Sequence, residues 1–181
     1  MYMMIIETDR LYLREMTKDD FDDLKKVLSD PDSMKFYPRP FTDEKVNQWI
    51  KWNIENYDQY GHGLWAVILK VNDVFIGDCG ITMQNIDGDT VPEIGFHIIK
   101  DYCCHGYATE AALACVDYAL NKMEYSKVYS YSRIENIPSQ IVAKKIGMTL
   151  HKKFVKNSIQ QIAYIIVNRL PNKLQEGTDE N

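Results

Sequence analysis

Apolar residues that recur every three or four positions predict the helices of this chain. One stripe follows Thr17 and another follows Thr42, and both threonines are suited to cap a helix N-terminus. The same spacing predicts a helix over Ala108–Met123, and Asn136 can cap a further one that ends before a glycine. Three prolines between the first two helices predict a loop over Asp30–Phe41.

Short runs of β-branched and aromatic residues predict strands. The predicted strands are Leu11–Leu13, Leu64–Leu69, Val74–Ile81, Glu93–Ile99, Lys127–Arg133, Leu150–Val155 and Gln160–Val167. The resulting order, β-α-α-β-β-β-α-β-α-β-β, indicates an α/β (α+β) fold around one mixed sheet. Because no linker or repeat interrupts this order, we expect a single domain over residues 1–170 and a polar tail over 171–181.

Charge and composition narrow the function classes. The 26 acidic residues outnumber the 21 basic ones, giving a net charge of −5, and no basic run suggests a nucleic-acid partner. No stretch reaches the roughly 20 apolar residues of a membrane helix, and polar residues come too early for a signal peptide. The four cysteines form no spaced pairs, which argues against a disulfide framework or a metal site and favours a reducing, cytoplasmic location.

The segment Glu93–Ala112 carries the strongest chemical signal. A predicted strand passes through a short loop into a helix rich in alanine, and unpaired N–H groups at a helix start bind phosphate. Gly106 lets the backbone approach an anion, Ala108 leaves the helix start unobstructed and Thr109 adds a hydroxyl donor. Neither the nucleotide-binding P-loop pattern nor the glycine-rich dinucleotide fingerprint is present.

The hexapeptide Cys103–Ala108 resembles the end of motif A of the GNAT acetyltransferases. Three other blocks, Thr8–Arg14, Glu93–Phe96 and Asn136–Met148, resemble the GNAT branch that contains ribosomal-protein-alanine N-acetyltransferases. The blocks follow the family order over most of the chain. The resemblance implies a seven-stranded sheet with four helices that splays between its fourth and fifth strands, Glu93–Ile99 and Lys127–Arg133.

The resemblance also implies an activity: direct transfer of an acetyl group from acetyl-CoA to a primary amine, with a protein N-terminus as the first candidate acceptor. A small-amine acceptor such as a polyamine or aminoglycoside, and a CoA-binding module without turnover, are the alternatives. A homodimer is left open. The implied catalytic residues are Glu93 as base and Ser139 as acid. The implied acetyl-CoA contacts are Phe96, His97, Ile98, Cys103, Cys104, His105, Gly106, Tyr107, Ala108, Thr109 and Asn136.

Some positions depart from the family pattern. Cys103 replaces the usual Gln or Arg, Cys104 replaces a frequent glycine, and the tyrosine that serves many relatives as general acid falls at Ala143. We expect a cysteine to be tolerated wherever the backbone needs no positive φ. Purely structural interpretations of these residues are also open. Glu93 could be a strand residue without a catalytic role, and Asn136 and Ser139 could serve only to cap a helix.

Overall fold

The computed structural model describes residues 3–168, which form one eight-stranded sheet and four α-helices. The strands are β1 Met4–Glu7, β2 Leu11–Arg14, β3 Leu64–Leu69, β4 Val74–Ile86, β5 Asp89–Ile98, β6 Lys127–Arg133, β7 Thr149–Lys156 and β8 Ile159–Val167. The helices are α1 Phe21–Leu28, α2 Asp43–Tyr60, α3 Tyr107–Asp117 and α4 Ile137–Lys145. The predicted tail over 171–181 lies outside the described residues.

The helix caps predicted from the sequence are confirmed. Thr17 caps a short 3-10 turn that leads into α1, and the Thr42 hydroxyl accepts the Lys45 N–H at 3.3 Å. Asn136 Oδ1 accepts the Ser139 N–H at 3.2 Å. These side chains satisfy backbone donors that a helix start otherwise leaves unpaired, so each helix begins at a defined residue.

The sheet order is β1-β2-β3-β4-β5-β6-β8-β7, and every neighbouring pair is antiparallel except β5 and β6. These two parallel strands are paired at a single position, Glu93 with Tyr129. The Ser130 hydroxyl then donates to the Ile94 carbonyl at 3.1 Å, and beyond it the strands part. The predicted splay is thus confirmed, and it leaves one edge of β5 open.

Strand alternation separates a dry face of β5 from a polar one. Ile94 belongs to the core under α3, together with Cys79, Ile81 and Ala112. Glu93, Gly95 and His97 point to the other face, which α1 and α2 cover with a second core cluster. Two titratable side chains of one strand therefore lie together on the face that is not filled by α3.

Three details differ from the sequence predictions. The edge strand β1 was missed, because its four residues are too short to show alternation. The hairpin between β4 and β5 turns on Asp87 and Gly88 alone, both at positive φ, so both strands are longer than predicted. The helix after β5 changes at Tyr118–Lys122 into a π-helical turn, which a period of 3.6 residues does not reveal.

Candidate active site

The splay opens into a cavity of about 1240 Å³. Its wall is formed in part by the loop between α1 and α2, by strands β5 and β6, and by the first turns of α3 and α4. Every residue that the family resemblance implicates in catalysis or acetyl-CoA binding lines this cavity, with the exception of His105. Residues far apart in the sequence thus converge on one space.

At one end of the cavity, the loop before α3 has a backbone geometry suited to an anion, and we call it the anion-binding loop. Cys104 and Gly106 both have left-handed backbone conformations, with φ of 64° and 83°. The N–H groups of Tyr107, Ala108 and Thr109 come before the first intrahelical hydrogen bond of α3, which the Glu110 N–H gives to the Gly106 carbonyl. Consecutive free N–H groups at the positive end of a helix dipole suit a pyrophosphate.

We expected a cysteine to be tolerated in this loop only where the backbone has a negative φ, and Cys104 does not meet this condition. Cys104 occupies a positive-φ position, at which glycine is the residue that avoids strain. Cys103, by contrast, has an extended conformation with φ of −67°. The substitution of the frequent family glycine by Cys104 therefore introduces backbone strain in this protein.

An arginine from the N-terminal strands secures the anion-binding loop. Arg10 Nη1 donates to the His105 carbonyl at 3.0 Å, and its Nε donates to Glu110 in the first turn of α3 at 2.7 Å. The guanidinium also lies over the ring of Tyr107, 4.5 Å from its centroid. Because Arg10 neutralises Glu110, the carboxylate does not oppose an anion bound at the helix start.

The open edge of β5 offers backbone hydrogen bonds to an extended ligand. Since Ile94 directs its carbonyl toward β6, alternation directs the backbone groups of Phe96 and Ile98 to the same side. His97 faces the other way: a Cβ added at Gly77 of β4 would lie 2.0 Å from the His97 carbonyl oxygen. Backbone contacts with pantetheine were expected from all three residues, but the strand geometry leaves them to Phe96 and Ile98.

Glu93 lies where the two halves of the sheet separate. Its side chain is buried, accepts a hydrogen bond from the backbone N–H of Tyr131, and pairs with the Thr82 hydroxyl at 3.3 Å. Burial raises the pKa of Glu93 to about 7, although these hydrogen bonds and the charges of His97 and Lys156 oppose the shift. A carboxyl with this pKa exchanges protons near neutrality, as a general base must.

The opposite wall of the cavity holds Asn136 and Ser139. Asn136 uses its Oδ1 as the cap of α4, and its Nδ2 makes no hydrogen bond within residues 3–168. Ser139 is half-buried on the first turn of the same helix. Ala143 is buried one turn further along and carries no group that can donate a proton. The capping interpretation is therefore correct for Asn136, and its amide N–H₂ is still available to a ligand.

A chain of hydrogen bonds that the sequence did not indicate crosses the polar face of β5. Asp78 of β4 is fully buried, and its two oxygens pair with Trp49 Nε1 at 3.0 Å and with His97 Nδ1 at 2.7 Å. His97 Nε2 lies 2.6 Å from the hydroxyl of Tyr37, which belongs to the loop between α1 and α2. This chain of hydrogen bonds thus runs from the sheet interior to the cavity.

Comparisons with known proteins agree with this geometry. Residues 10–149 match the family model described as an acetyltransferase (GNAT) domain. The chain belongs to the GNAT acetyltransferase family. Two relatives from Bacillus subtilis are the uncharacterized protein YkkB, 38% identical over 82% of this chain and 87% of its own, and the uncharacterized N-acetyltransferase YnaD, 34% identical over 84% and 87%. The crystal structure of a GNAT-family acetyltransferase from Bacillus anthracis matches with a TM-score of 0.77 and 27% identity, over 93% of this chain and 99% of that one.

The predicted family, its fold and its class of reaction are thereby confirmed: this GNAT protein is an acetyl-transferring enzyme. Within residues 3–168, no helix is long and apolar enough to cross a membrane, and no three His, Cys, Asp or Glu side chains form a metal-binding group.

The GNAT resemblance pointed to residues that line the cavity, but it missed part of the polar wall. His105 does not line the cavity; its ring stacks on Tyr107 and its Nδ1 lies 2.7 Å from the Cys103 carbonyl. Asp78, Tyr37 and Trp49 were not candidates, because they come from three separate elements and belong to no motif block. An aspartate inside an otherwise apolar strand was the one signal available, since a buried charge needs a partner.

Proposed function

We propose that this acetyltransferase moves the acetyl group of acetyl-CoA directly to a primary amine inside the cavity. The observation that carries the proposal is the continuity of the site: an anion-binding loop, an open strand edge and a buried carboxyl with a pKa near 7 line one space. In that order they match the pyrophosphate, the pantetheine arm and the reacting amine. A ternary complex in one cavity needs no covalent acetyl-enzyme.

In this proposal acetyl-CoA lies along the splay. The pyrophosphate binds the N–H groups of Cys104–Thr109, and the two amides of pantetheine bond to the backbone of Phe96 and Ile98. The free amide N–H₂ of Asn136 holds the arm from α4. A backbone N–H near Ile98 then polarises the thioester carbonyl, where negative charge develops during attack.

Glu93 is the proposed base. Amines are mostly protonated at neutral pH, so the attacking nitrogen must first lose a proton. Glu93 takes it, directly or through one water. Ser139 is the proposed donor to the leaving thiolate, a task that the low basicity of a thiolate makes undemanding. The buried alanine at position 143 is consistent with this assignment, because it carries no group that could donate a proton in place of Ser139.

The first candidate acceptor is the N-terminal amine of a protein, on the motif resemblance to the ribosomal-protein branch. The cavity wall supports a cationic group in general, because the aromatic side chains Tyr37, Trp49 and Trp52 line the same cavity as Glu93. The same wall also suits a small polyamine or aminoglycoside. The four cysteines are free thiols, which supports the proposed cytoplasmic location.

An acceptor screen tests the proposal. Purified protein is mixed with acetyl-CoA and N-terminal peptides, polyamines or aminoglycosides, and CoA release is followed together with the mass of the acetylated product. Turnover of peptides alone supports the protein-acceptor form, and turnover of polyamines or aminoglycosides supports the small-amine form. If acetyl-CoA binds but no primary amine is acetylated, the protein is a CoA-binding module and the proposed transfer is wrong.

A further inference from the structure

The hydrogen bonds of Asp78, His97 and Tyr37 have a defined direction while His97 is a neutral imidazole. A carboxylate oxygen only accepts, so His97 Nδ1 carries a proton and donates it to Asp78 at 2.7 Å. In the neutral imidazole the other nitrogen is then an acceptor, and the Tyr37 hydroxyl donates to it at 2.6 Å. The Tyr37 proton therefore points inward to His97, away from the cavity.

This arrangement leaves the oxygen of Tyr37 available to a ligand. Its lone pairs have no hydrogen-bond donor among residues 3–168, and the side chain lines the cavity. Burial, followed by the charges of Asp78 and Glu93, raises the pKa of Tyr37, so the side chain stays a phenol. A phenol that accepts a proton on one side while it donates on the other can pass a proton to His97.

The loop that carries Tyr37 is fixed by contacts to the rest of the site. The Tyr37 N–H donates to the Met34 carbonyl at 2.8 Å, and its ring meets Phe41 edge-on with a centroid distance of 6.3 Å. Lys100, just after β5, pairs with Asp32 of the same loop. These contacts hold the hydroxyl against His97 instead of leaving it on a free loop.

The stoichiometry of acetyl transfer calls for two proton acceptors. An ammonium, R–NH₃⁺, has three protons on nitrogen, whereas the amide product has one. One proton must leave before the nitrogen can attack, and a second leaves after the C–N bond has formed and the nitrogen is again positive. Glu93 accounts for the first proton in the proposed function. Ser139 still carries its own proton when the C–N bond forms, so another group must take the second proton from the nitrogen before the thiolate leaves.

We propose that the Tyr37–His97–Asp78 relay accepts the second proton, which the attacking nitrogen releases as the amide forms. An N–H bond of the tetrahedral adduct breaks and an O–H bond forms on Tyr37, while the original O–H bond of Tyr37 breaks and an N–H bond forms on His97 Nε2. His97 becomes an imidazolium that faces Asp78, and the C–S bond breaks to expel the thiolate. Ser139 gives its proton to the thiolate and regains one from solvent, and Glu93 and the relay return their protons to solvent after the product leaves. This inference rests on the proposed acetyl transfer.

The charges around the relay favour this direction of transfer. Burial lowers the pKa of His97, but the charge and hydrogen bond of Asp78 and the charge of Glu93 outweigh burial and raise it overall. His97 is therefore a competent proton acceptor. Titratable groups from five elements act on the relay and on Glu93. They are Tyr37 of the loop before α2, Asp78 of β4, Glu93 itself on β5, Tyr131 of β6 and Lys156 of β7.

The test compares Tyr37→Phe, which removes the relaying oxygen, with His97→Gln, which cannot take a proton, and with Glu93→Gln. Rates of CoA release with an amine that the wild type acetylates are measured from about pH 6 to 9.5. Above the pKa values of Glu93 and His97, both relay variants are expected to lose about 10²-fold in kcat, and this loss stays constant as the pH rises further, because the second proton must leave whatever the state of the free amine. The Glu93→Gln loss is expected to shrink over the same range.

The acid limb of the pH profile of kcat gives a second readout. Its slope would not change if Tyr37 had only a structural role. Wild-type log kcat should approach a slope of two below the pKa values of Glu93 and His97, and Tyr37→Phe should approach a slope of one. Tyr12→Phe is the matched control, since it removes a tyrosine-to-aspartate hydrogen bond, to Asp73, outside the cavity; its kcat should equal that of the wild type.

Three results would overturn the relay while the acetyl transfer stands. They are a Tyr37→Phe enzyme within two-fold of the wild type, a loss that shrinks with pH as it does for Glu93→Gln, and an unchanged slope of the acid limb. Thermal unfolding of each variant separates these results from misfolding, and His97→Gln supplies the answer if Tyr37→Phe melts early. A wild-type protein that acetylates no amine overturns the proposed function and the relay together.

Discussion

At the scale of a single residue, the burial of Glu93 that suits it to act as a base also lowers the stability of the folded protein at neutral and higher pH. Burial raises its pKa from 4.5 to about 7, against the opposing hydrogen bonds from the Tyr131 N–H and Thr82. Because the folded pKa exceeds the unfolded one, Glu93 contributes most stability below pH 4.5, where it is protonated in both states. That contribution is lost as the pH rises through about 7.

We therefore predict that Glu93→Gln raises the free energy of unfolding at pH 8 by up to about 3 kcal/mol and leaves it nearly unchanged at pH 4.5, measured by urea denaturation. Turnover at neutral pH should fall about 10²–10⁴-fold with little change in acetyl-CoA affinity. Glu55→Gln, on the exposed face of α2, is the control and should alter stability by less than about 0.5 kcal/mol. Full activity of Glu93→Gln from pH 6 to 9 would contradict the assignment of the base.

The two adjacent cysteines provide a matched pair for backbone strain. Cys104 has φ of 64°, whereas Cys103 has φ of −67°. Left-handed backbone costs a side-chain-bearing residue about 1–2 kcal/mol, and glycine costs about 0.5–1 kcal/mol in lost chain entropy. Cys104→Gly should therefore raise the free energy of unfolding by up to about 1 kcal/mol, and Cys103→Gly should lower it by about 0.5–1 kcal/mol. Chemical denaturation measures both values, and changes of the same sign would disprove the strain.

At the scale of the element, the start of α3 has helix geometry that suits the proposed anion site. Gly106 precedes the helix at φ of 83°, and a Cβ there would lie 3.4 Å from Arg10 Nη2. Gly88, in the hairpin between β4 and β5, has a similar φ of 97° but open space around it. A substitution at either glycine therefore strains the backbone, but only a side chain at position 106 contacts Arg10.

We predict that Gly106→Asp abolishes the acetyl-CoA-dependent rise in melting temperature, because the new carboxylate repels pyrophosphate. Gly88→Asp should lose roughly 1 kcal/mol of stability through the same kind of strain and keep the full response to acetyl-CoA. Differential scanning fluorimetry with and without ligand measures both, and the far-UV circular dichroism of each variant should match the wild type. An acetyl-CoA response retained by Gly106→Asp would place the pyrophosphate elsewhere.

At the scale of the whole molecule, β5 and β6 join two parts of the sheet through very little backbone pairing. Strands β1–β5 lie on one side, and β6, β8 and β7 lie on the other. The junction has the Glu93–Tyr129 pair, the Ser130 hydroxyl bond and the hydrogen bond from Tyr131 to Glu93. A ligand that fills the splay connects both parts and so favours the folded state.

Acetyl-CoA is accordingly expected to stabilise the whole domain, by about 2.7 kcal/mol at a concentration 100 times its Kd. Hydrogen exchange should slow in β6 as well as at the start of α3, because the ligand contacts both sides of the splay. S-acetylpantetheine, which has no pyrophosphate, is the control and should stabilise less at equal concentration. Absence of any thermal shift at millimolar acetyl-CoA, with no heat of binding by calorimetry, would contradict the proposed cofactor site.

Most of the elements, and the loop proposed to hold the cofactor, could be predicted from the sequence because their causes are local. Thr42 and Asn136 cap helices through atoms only three residues away, and strand alternation follows from the pleat of the backbone. The loop at Gly106 could be predicted for the same reason, since helix start, glycine and small residues are consecutive. The strand β1 was missed because four residues hold too little pattern.

By itself, the sequence predicted the family, the four helices and seven of the eight strands in their order, and the segment that the proposed function places against the cofactor. Tertiary structure alone decided the pKa of Glu93, the left-handed conformation of Cys104, and the convergence of Tyr37 and Asp78 on His97. Burial and long-range hydrogen bonds depend on which elements pack together, and Tyr37 and His97 are 60 residues apart. Local periodicity fixes where a helix begins, whereas the acidity of a buried side chain is fixed by neighbours that only the folded sheet supplies.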